Sequence, residues 1–225
     1  MAIGLWSLDS IKTKVRNITG RYSTDALSDD NLVDYINKYY QLVFPLEVRP
    51  AELKGWFQFD VSDGTDEYDL STQTDSETGN IFEDEVITIE LPCTIDGYYL
   101  EYYQNPKDFY AMWPETTTYD EAQPTDVLYY DEALIFRPTP DDTYTFKIAA
   151  WKRPEAFANS SPTTEYPILE DWGPLIAYGA AKEIFEDDGD IESIAKIEPI
   201  YEMHRDRIMR RAHNQNINQR SIPSF

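Results

Sequence analysis

The stretch Asp190-Ile-Glu-Ser-Ile-Ala-Lys-Ile-Glu-Pro-Ile-Tyr-Glu-Met-His-Arg-Asp-Arg-Ile-Met-Arg-Arg211 decides how this chain is built. Ile191, Ile194, Ile197, Tyr201 and Ile208 return every three or four positions, or at multiples of that step, which is helical spacing. Pro199 lies inside the pattern, so a kink or break is expected just before it. Beyond Arg211 the pattern dissolves into Asn214-Gln-Asn-Ile-Asn-Gln-Arg-Ser-Ile-Pro-Ser-Phe225, polar except for Ile217, Ile222 and Phe225. Two readings of that tail stand side by side. One is a frayed terminus. The other is a peptide whose isolated apolar anchors dock onto a partner.

Working back from this helix, the chain opens in the same period. Leu8, Ile11, Val15 and Ile18 form one apolar stripe, with Ser7 or Ser10 available as N-cap and Gly20 as the stop. Ser28 begins a second helix, with Asp29 and Asp30 at the positive end of its dipole. Leu32, Tyr35, Ile36, Tyr39, Tyr40 and Val43 continue it, and Pro45 is expected to close it. Two helices this short are stable only against more structure. From Leu53 the period changes to that of strands. Trp56–Val61, Val86–Leu91, Tyr98–Tyr103, Val127–Tyr130, Ala133–Arg137 and Tyr144–Trp151 read as strands. Tyr68–Leu70 is expected to pair back on the first of them, and Pro92 to end the second. Asp96-Gly97 supplies a tight turn, Asn105-Pro106 a break, and 107–113 one helical turn. Ser71–Asn80 is a polar loop. After a Pro-, Ser- and Thr-rich linker, Pro154–Pro167, Asp171 is a plausible N-cap for a helix through Asp187. Its small residues Ala177, Gly179, Ala180 and Ala181 allow a neighbouring helix to come close.

The fold expected is α+β: a helical bundle from both chain ends with an inserted antiparallel, sandwich-like β-rich region. The boundaries are 1–52 for the N-terminal hairpin, 53–153 for the insertion, 154–213 for the linker and closing helices, and 214–225 for an extended docking tail.

Composition narrows the function. The chain has 225 residues, 41% of them hydrophobic, and a formal net charge of −23. Both ends are net basic, so the body between them is more acidic than the whole. A surface like that repels nucleic acid, although DNA can slide past it without sticking. No apolar run approaches the roughly 20 residues a membrane span needs, and no secretory signal is recognisable at the N-terminus. The single cysteine, Cys93, has no internal disulfide partner and reads as packing material.

Catalytic signals are weak. Phosphate-cradling glycine motifs are missing. His204 and His213, nine apart on one helix, fall on roughly opposite faces and cannot share a metal. Glu186–Asp190 superficially suggests a calcium loop but lacks its closing glutamate. Among 42 acids, pairs at a glycosidase-like separation arise by chance. No cofactor or metal is expected, and no enzyme.

A resemblance adds what spacing cannot. Arg16-Asn-Ile-Thr-Gly-Arg-Tyr-Ser-Thr24 followed by Leu27–Tyr40 resembles the opening of head-to-tail adaptor (connector) proteins of tailed bacteriophages. So do Ile95–Tyr99, Tyr102–Pro106 and Asp108–Pro114, and the closing Arg210-Arg-Ala … Gln219–Phe225. The resemblance implies a helical bundle with a β-rich insertion, and a dodecameric ring beneath the portal that receives the tail nozzle or tube. It implies a virion protein, assembled in the host cytoplasm, lining a channel through which DNA is ejected without specific binding. It also implies that Ile217, Arg220, Ile222 and Phe225 dock on the portal, with Arg205, Arg207, Arg210 and Arg211 as interface charges. The alternatives are another virion structural protein, a receptor- or carbohydrate-binding β module using the tyrosines of 98–103 and 127–130, and an acidic-site hydrolase.

Overall fold

A computed structural model describes residues 6–217 apart from Thr116 and Thr118, with side chains through His213. The chain divides into two compact units. One comprises the described parts of Met1–Leu53 and Pro154–Phe225; the other is Lys54–Arg153.

Helix α1 (Leu8–Thr19) starts where the Ser7 hydroxyl accepts the Ser10 amide and stops at Gly20, whose φ of 71° is left-handed. Leu8, Ile11 and Val15 are fully buried. Helix α2 (Asp29–Lys38) is capped by Ser28 in the same way. Pro45 does not close it. The chain widens into a π-helical turn, Tyr39–Val43, in which the Phe44 amide reaches the Tyr39 carbonyl, and continues as α3 (Phe44–Val48). Proline removes one helical donor and crowds the carbonyl four residues earlier; the wider turn relieves both, so the helix is re-registered rather than ended. Arg49 (φ 48°) terminates it, and a 3₁₀ turn, Ala51–Leu53, follows.

The inserted unit carries two four-stranded sheets. Its strands are β1 (Lys54–Val61), β2 (Glu67–Asp69), β3 (Val86–Ile95), β4 (Tyr98–Tyr99), β5 (Glu101–Tyr103), β6 (Asp126–Tyr130), β7 (Ala133–Arg137) and β8 (Tyr144–Lys152). Short helices α4 (Phe82–Glu85) and α5 (Pro106–Met112) lie between them. One sheet runs β1-β8-β3-β4 and the other β2-β7-β6-β5. Phe57, Phe59, Ile95, Phe146 and Ile148 of the first share a buried core with Tyr68, Val127, Leu134 and Phe136 of the second. The edge-on Phe136–Phe146 pair, 5.0 Å between centroids, marks the contact.

Several strand expectations are corrected. Tyr68–Leu70 does not fold back on β1; β2 pairs with β7. The turn between β1 and β2 is too long for a tight hairpin. It is tied across to the other sheet, where the Phe136 amide donates to the Asp66 carbonyl. Pro92 does not end β3: the strand passes through it with a register shift between Ile89 and Cys93. The run Tyr98–Tyr103 splits at Leu100, which is buried and donates its amide to the Cys93 carbonyl, so β4 and β5 belong to different sheets. β5 and β6 are parallel, the exception to an otherwise antiparallel unit.

The chain then returns to the helical unit. Its linker is held there: Leu8 and Asp9 amides donate to Glu165 and Pro162 carbonyls, Asn37 pairs with the Phe157 backbone, and Phe157 stacks on Tyr40 at 4.8 Å. Helix α6 (Gly173–Asp188) follows a 3₁₀ turn, Glu170–Trp172. Asp171 is not its N-cap. Pro174 in the first turn has no N–H to offer, and Asp171 faces Arg211 instead. The small residues act as expected: a Cβ on Gly179 would stand 2.3 Å from the Tyr39 ring. Gly189 (φ 71°) ends α6, and Asp190 caps Ser193 at the start of α7 (Ile191–Ile217).

Pro199 neither breaks nor interrupts α7. The carbonyl it leaves without a donor belongs to Ala195, and both residues are exposed, on the side of the helix where solvent can serve that carbonyl. The helix also passes Asn214, where the extended tail is expected to begin, and reaches Ile217; nothing between Arg211 and Ile217 is a helix breaker. Ile191, counted in the apolar pattern, is 77% exposed.

Candidate docking surface

Helix α7 has an inner and an outer face. Ile197, Tyr201, Ile208 and Ala212 are buried against the bundle. Tyr201 is the polar centre of that face. Its hydroxyl donates to Glu47 and lies 3.2 Å from the Tyr39 hydroxyl, while the Lys182 ammonium sits 5.0 Å over its ring. Burial pushes both phenols up, and the neighbouring Glu47 carboxylate raises them further. These protons stay in place at neutral pH, so the network is a hydrogen-bonded seam rather than an acid–base site.

On the outer side, Ile200, Met203, Arg207 and Arg210 follow one another at helical spacing and are all exposed. Met203, His204, Asp206, Arg207 and Arg210 line a shallow depression. His204 lies flat on Tyr178 of α6, 5.6 Å between ring centres, and the Lys14 ammonium of α1 is 5.3 Å from the same ring. Burial lowers the His204 pKa, and Arg207 and Lys14 lower it further. The imidazole is therefore neutral at pH 7, a packing group in a cationic setting.

The four arginines singled out by sequence separate into two kinds. Arg211 reaches Asp171 at 3.1 Å and Glu52 at 3.9 Å, and Arg205 lies within 3.9 Å of Glu202 and Asp206. Arg207 and Arg210 have no ion-pair partner among the described residues. Ile217 is the last described helical position, and its side chain, like Arg220, Ile222 and Phe225, lies outside the described residues. Sequence reading did not single out Ile200, Met203 or Lys14 as surface features. The 200/203/207/210 spacing was a usable signal, but the position of Lys14 depends on how α1 packs.

Other candidate chemistry resolves into structure. Among the described residues no cluster of three or more histidine, cysteine or acidic side chains is arranged to hold a metal. Burial raises the Cys93 thiol to about 11. The acids of 186–190 are a helix end: Asp187 accepts from Tyr35 and Asp188 from Arg21. Tyr98 and Tyr99 are exposed, but they stand on a different sheet from Tyr102, Tyr103, Tyr129 and Tyr130, so the tyrosines of 98–103 are divided between two sheets. Among the described residues no helix is long and apolar enough to cross a membrane.

A bundle closed by helices from both chain ends and carrying a β-sandwich insertion defines an α+β scaffold whose most conspicuous chemistry is surface charge. Residues 6–222 match the SU10 adaptor protein family, so the chain belongs to that family of phage head-tail adaptors. The family is structural, and the chain is a virion component of that kind, associated with the portal and tail parts of a phage particle. No curated protein matches the chain.

Proposed function

We propose that this chain forms a ring, dodecameric as the resemblance implies, that joins the portal to the tail nozzle or tube and lines the channel for DNA ejection. It assembles in the host cytoplasm and attaches to the portal through Ile217, Arg220, Ile222 and Phe225. What supports this reading, beside the family, is that α7 is held to the bundle as far along as Ala212. Ala212 is the last described side chain buried in the helical unit, so the anchors follow a helix that is already fixed. The net charge of −23 supports the channel role, since an acidic wall repels DNA phosphates and gives them nothing to grip.

Truncation after Asn214 tests the attachment. The shortened chain retains every described buried side chain, so its helical circular dichroism and melting temperature are expected to match the full chain, while its incorporation into particles is lost. Unfolding of the truncated chain, or normal incorporation, would refute the assignment.

A further inference from the structure

We propose that two opposite flanks of the helical unit are complementary docking faces for a second copy of this chain: a cationic flank made by Lys14, Arg207 and Arg210, and an acidic flank made by Asp34 and Asp187. This deepens the ring reading and rests on it, because it names the surfaces through which neighbouring copies meet.

Three observations support it. The first is which cations are left over. In the helical unit Lys12, Arg16, Arg21, Lys38, Lys182, Lys196, Arg205 and Arg211 all have carboxylate partners. Among its described residues Lys14, Arg49, Arg207 and Arg210 have none. Three of these four gather on one flank, around the stacked Tyr178 and His204. Exposed Met203 adds apolar area there.

The second is the opposite flank. Asn31, Asp34, Tyr35, Lys38 and Asp187 line a second depression. Lys38 is already bound to Glu183, and among the described residues Asp187 accepts only the Tyr35 hydroxyl, at 2.8 Å. Asp34 has no partner among the described residues. Tyr178 and Asp187 are nine residues apart on α6, about two and a half helical turns, so they leave that helix in opposite directions.

The third is the charge of the whole. A chain of −23 repels its own copies over most of its surface, so copies can approach only where unpaired cations face acids. A cationic flank opposite an acidic one makes each contact head-to-tail and leaves both faces available for the next copy, the kind of contact that closes into a ring when the rotation between copies permits it. A nucleic acid suits the first flank but is repelled by the second, whereas a second copy satisfies both at once.

Charge exchange and crosslinking test this on the full-length protein. Arg210→Glu alone and Asp34→Lys alone are each expected to weaken self-association by about tenfold or more in sedimentation. The double variant is expected to return it to near the wild-type value. Both positions are exposed, and circular dichroism checks that the fold is unchanged. In parallel, Asp34→Cys and Arg210→Cys single variants are mixed and treated with a bifunctional maleimide; Cys93 is buried and does not compete. Mixed 34–210 products in excess over same-site products support the proposal. Same-site products, additive losses in the double variant, or wild-type oligomers indifferent to both charges would overturn the face assignment while leaving the ring standing. A wild type that is monomeric at every concentration, alone and with portal protein, would overturn the ring reading itself.

Discussion

Replacing Lys152 by methionine should cost the β unit on the order of 3 kcal/mol. The Lys152 ammonium at the end of β8 is 2.7 Å from Asp75 and 2.6 Å from Glu85. Those acids are only 1% and 5% exposed. The lysine stem passes Gly55, where an added Cβ would meet its Cδ at 3.1 Å. Burial disfavours the ammonium, but its bonds to Asp75 and Glu85 outweigh that and raise its pKa. Methionine keeps the stem's volume and strands two carboxylates away from water. The Glu77 amide and Thr78 hydroxyl still donate to them but do not neutralise them. Breaking a buried pair by removing one partner typically costs about 3–5 kcal/mol; the low end applies because Lys152 retains some exposure. For a unit of this size 3 kcal/mol corresponds to roughly 12–24 °C of melting temperature. Calorimetry of the full chain reads that shift, and hydrogen exchange should localise it to the Ser71–Asn80 loop and α4. The pH dependence has a definite sign. In the wild type the raised lysine pKa contributes stability that is complete below about pH 10.4 and lost as pH rises through the folded value. The wild type's advantage over the variant should therefore shrink as pH rises above that value. A loss under about 1 kcal/mol, or one that is independent of pH, would refute the view that this triad holds the loop.

Two further outcomes follow from the helical unit. Gly179→Ala drives a methyl to 2.3 Å from the ring of Tyr39, which is 1% exposed and has nowhere to move; a loss of about 1–3 kcal/mol in chemical denaturation is expected, and a neutral substitution would mean α6 is not packed this closely. Burial raises Tyr40 to about 12 and lifts Tyr39 and Tyr201 as well, so the neutral phenols stabilise the fold below about pH 10 and that contribution is lost as pH rises above it; an ultraviolet titration in which all tyrosines ionise together while the fold stays intact would contradict this.

The helices were legible because their evidence is local. Ser7, Ser28 and Gly20 do at their sites what a serine cap and a left-handed glycine do in any helix. The failures share a cause. Pro45 and Pro92 read as stops and Pro199 as a kink or break, and the chain passes each without ending its element. A proline ends an element only if the surroundings supply no remedy; here a π turn, a register shift and an exposed helix face supply three different ones. Tyr68–Leu70 and Tyr98–Tyr103 were recognised as extended, but which strand each would join depended on contacts far away in the chain. The arginines of α7 were found from sequence as a group. Only packing separated Arg205 and Arg211, tied to their own chain, from Arg207 and Arg210, which face outward.

By itself the sequence determined the helix–strand–helix order, the close approach at Gly179, the acidic body with basic ends, and the resemblance that the family match bears out. These depend on composition, on period and on residues a few positions apart, where backbone geometry admits few alternatives. Tertiary structure alone decided which strands share a sheet, which charges are spent within the chain, and that Lys14 joins Arg207 and Arg210 across Tyr178. Each of those is a pairing between distant segments, selected by the burial of a common core, and sequence spacing carries no record of it.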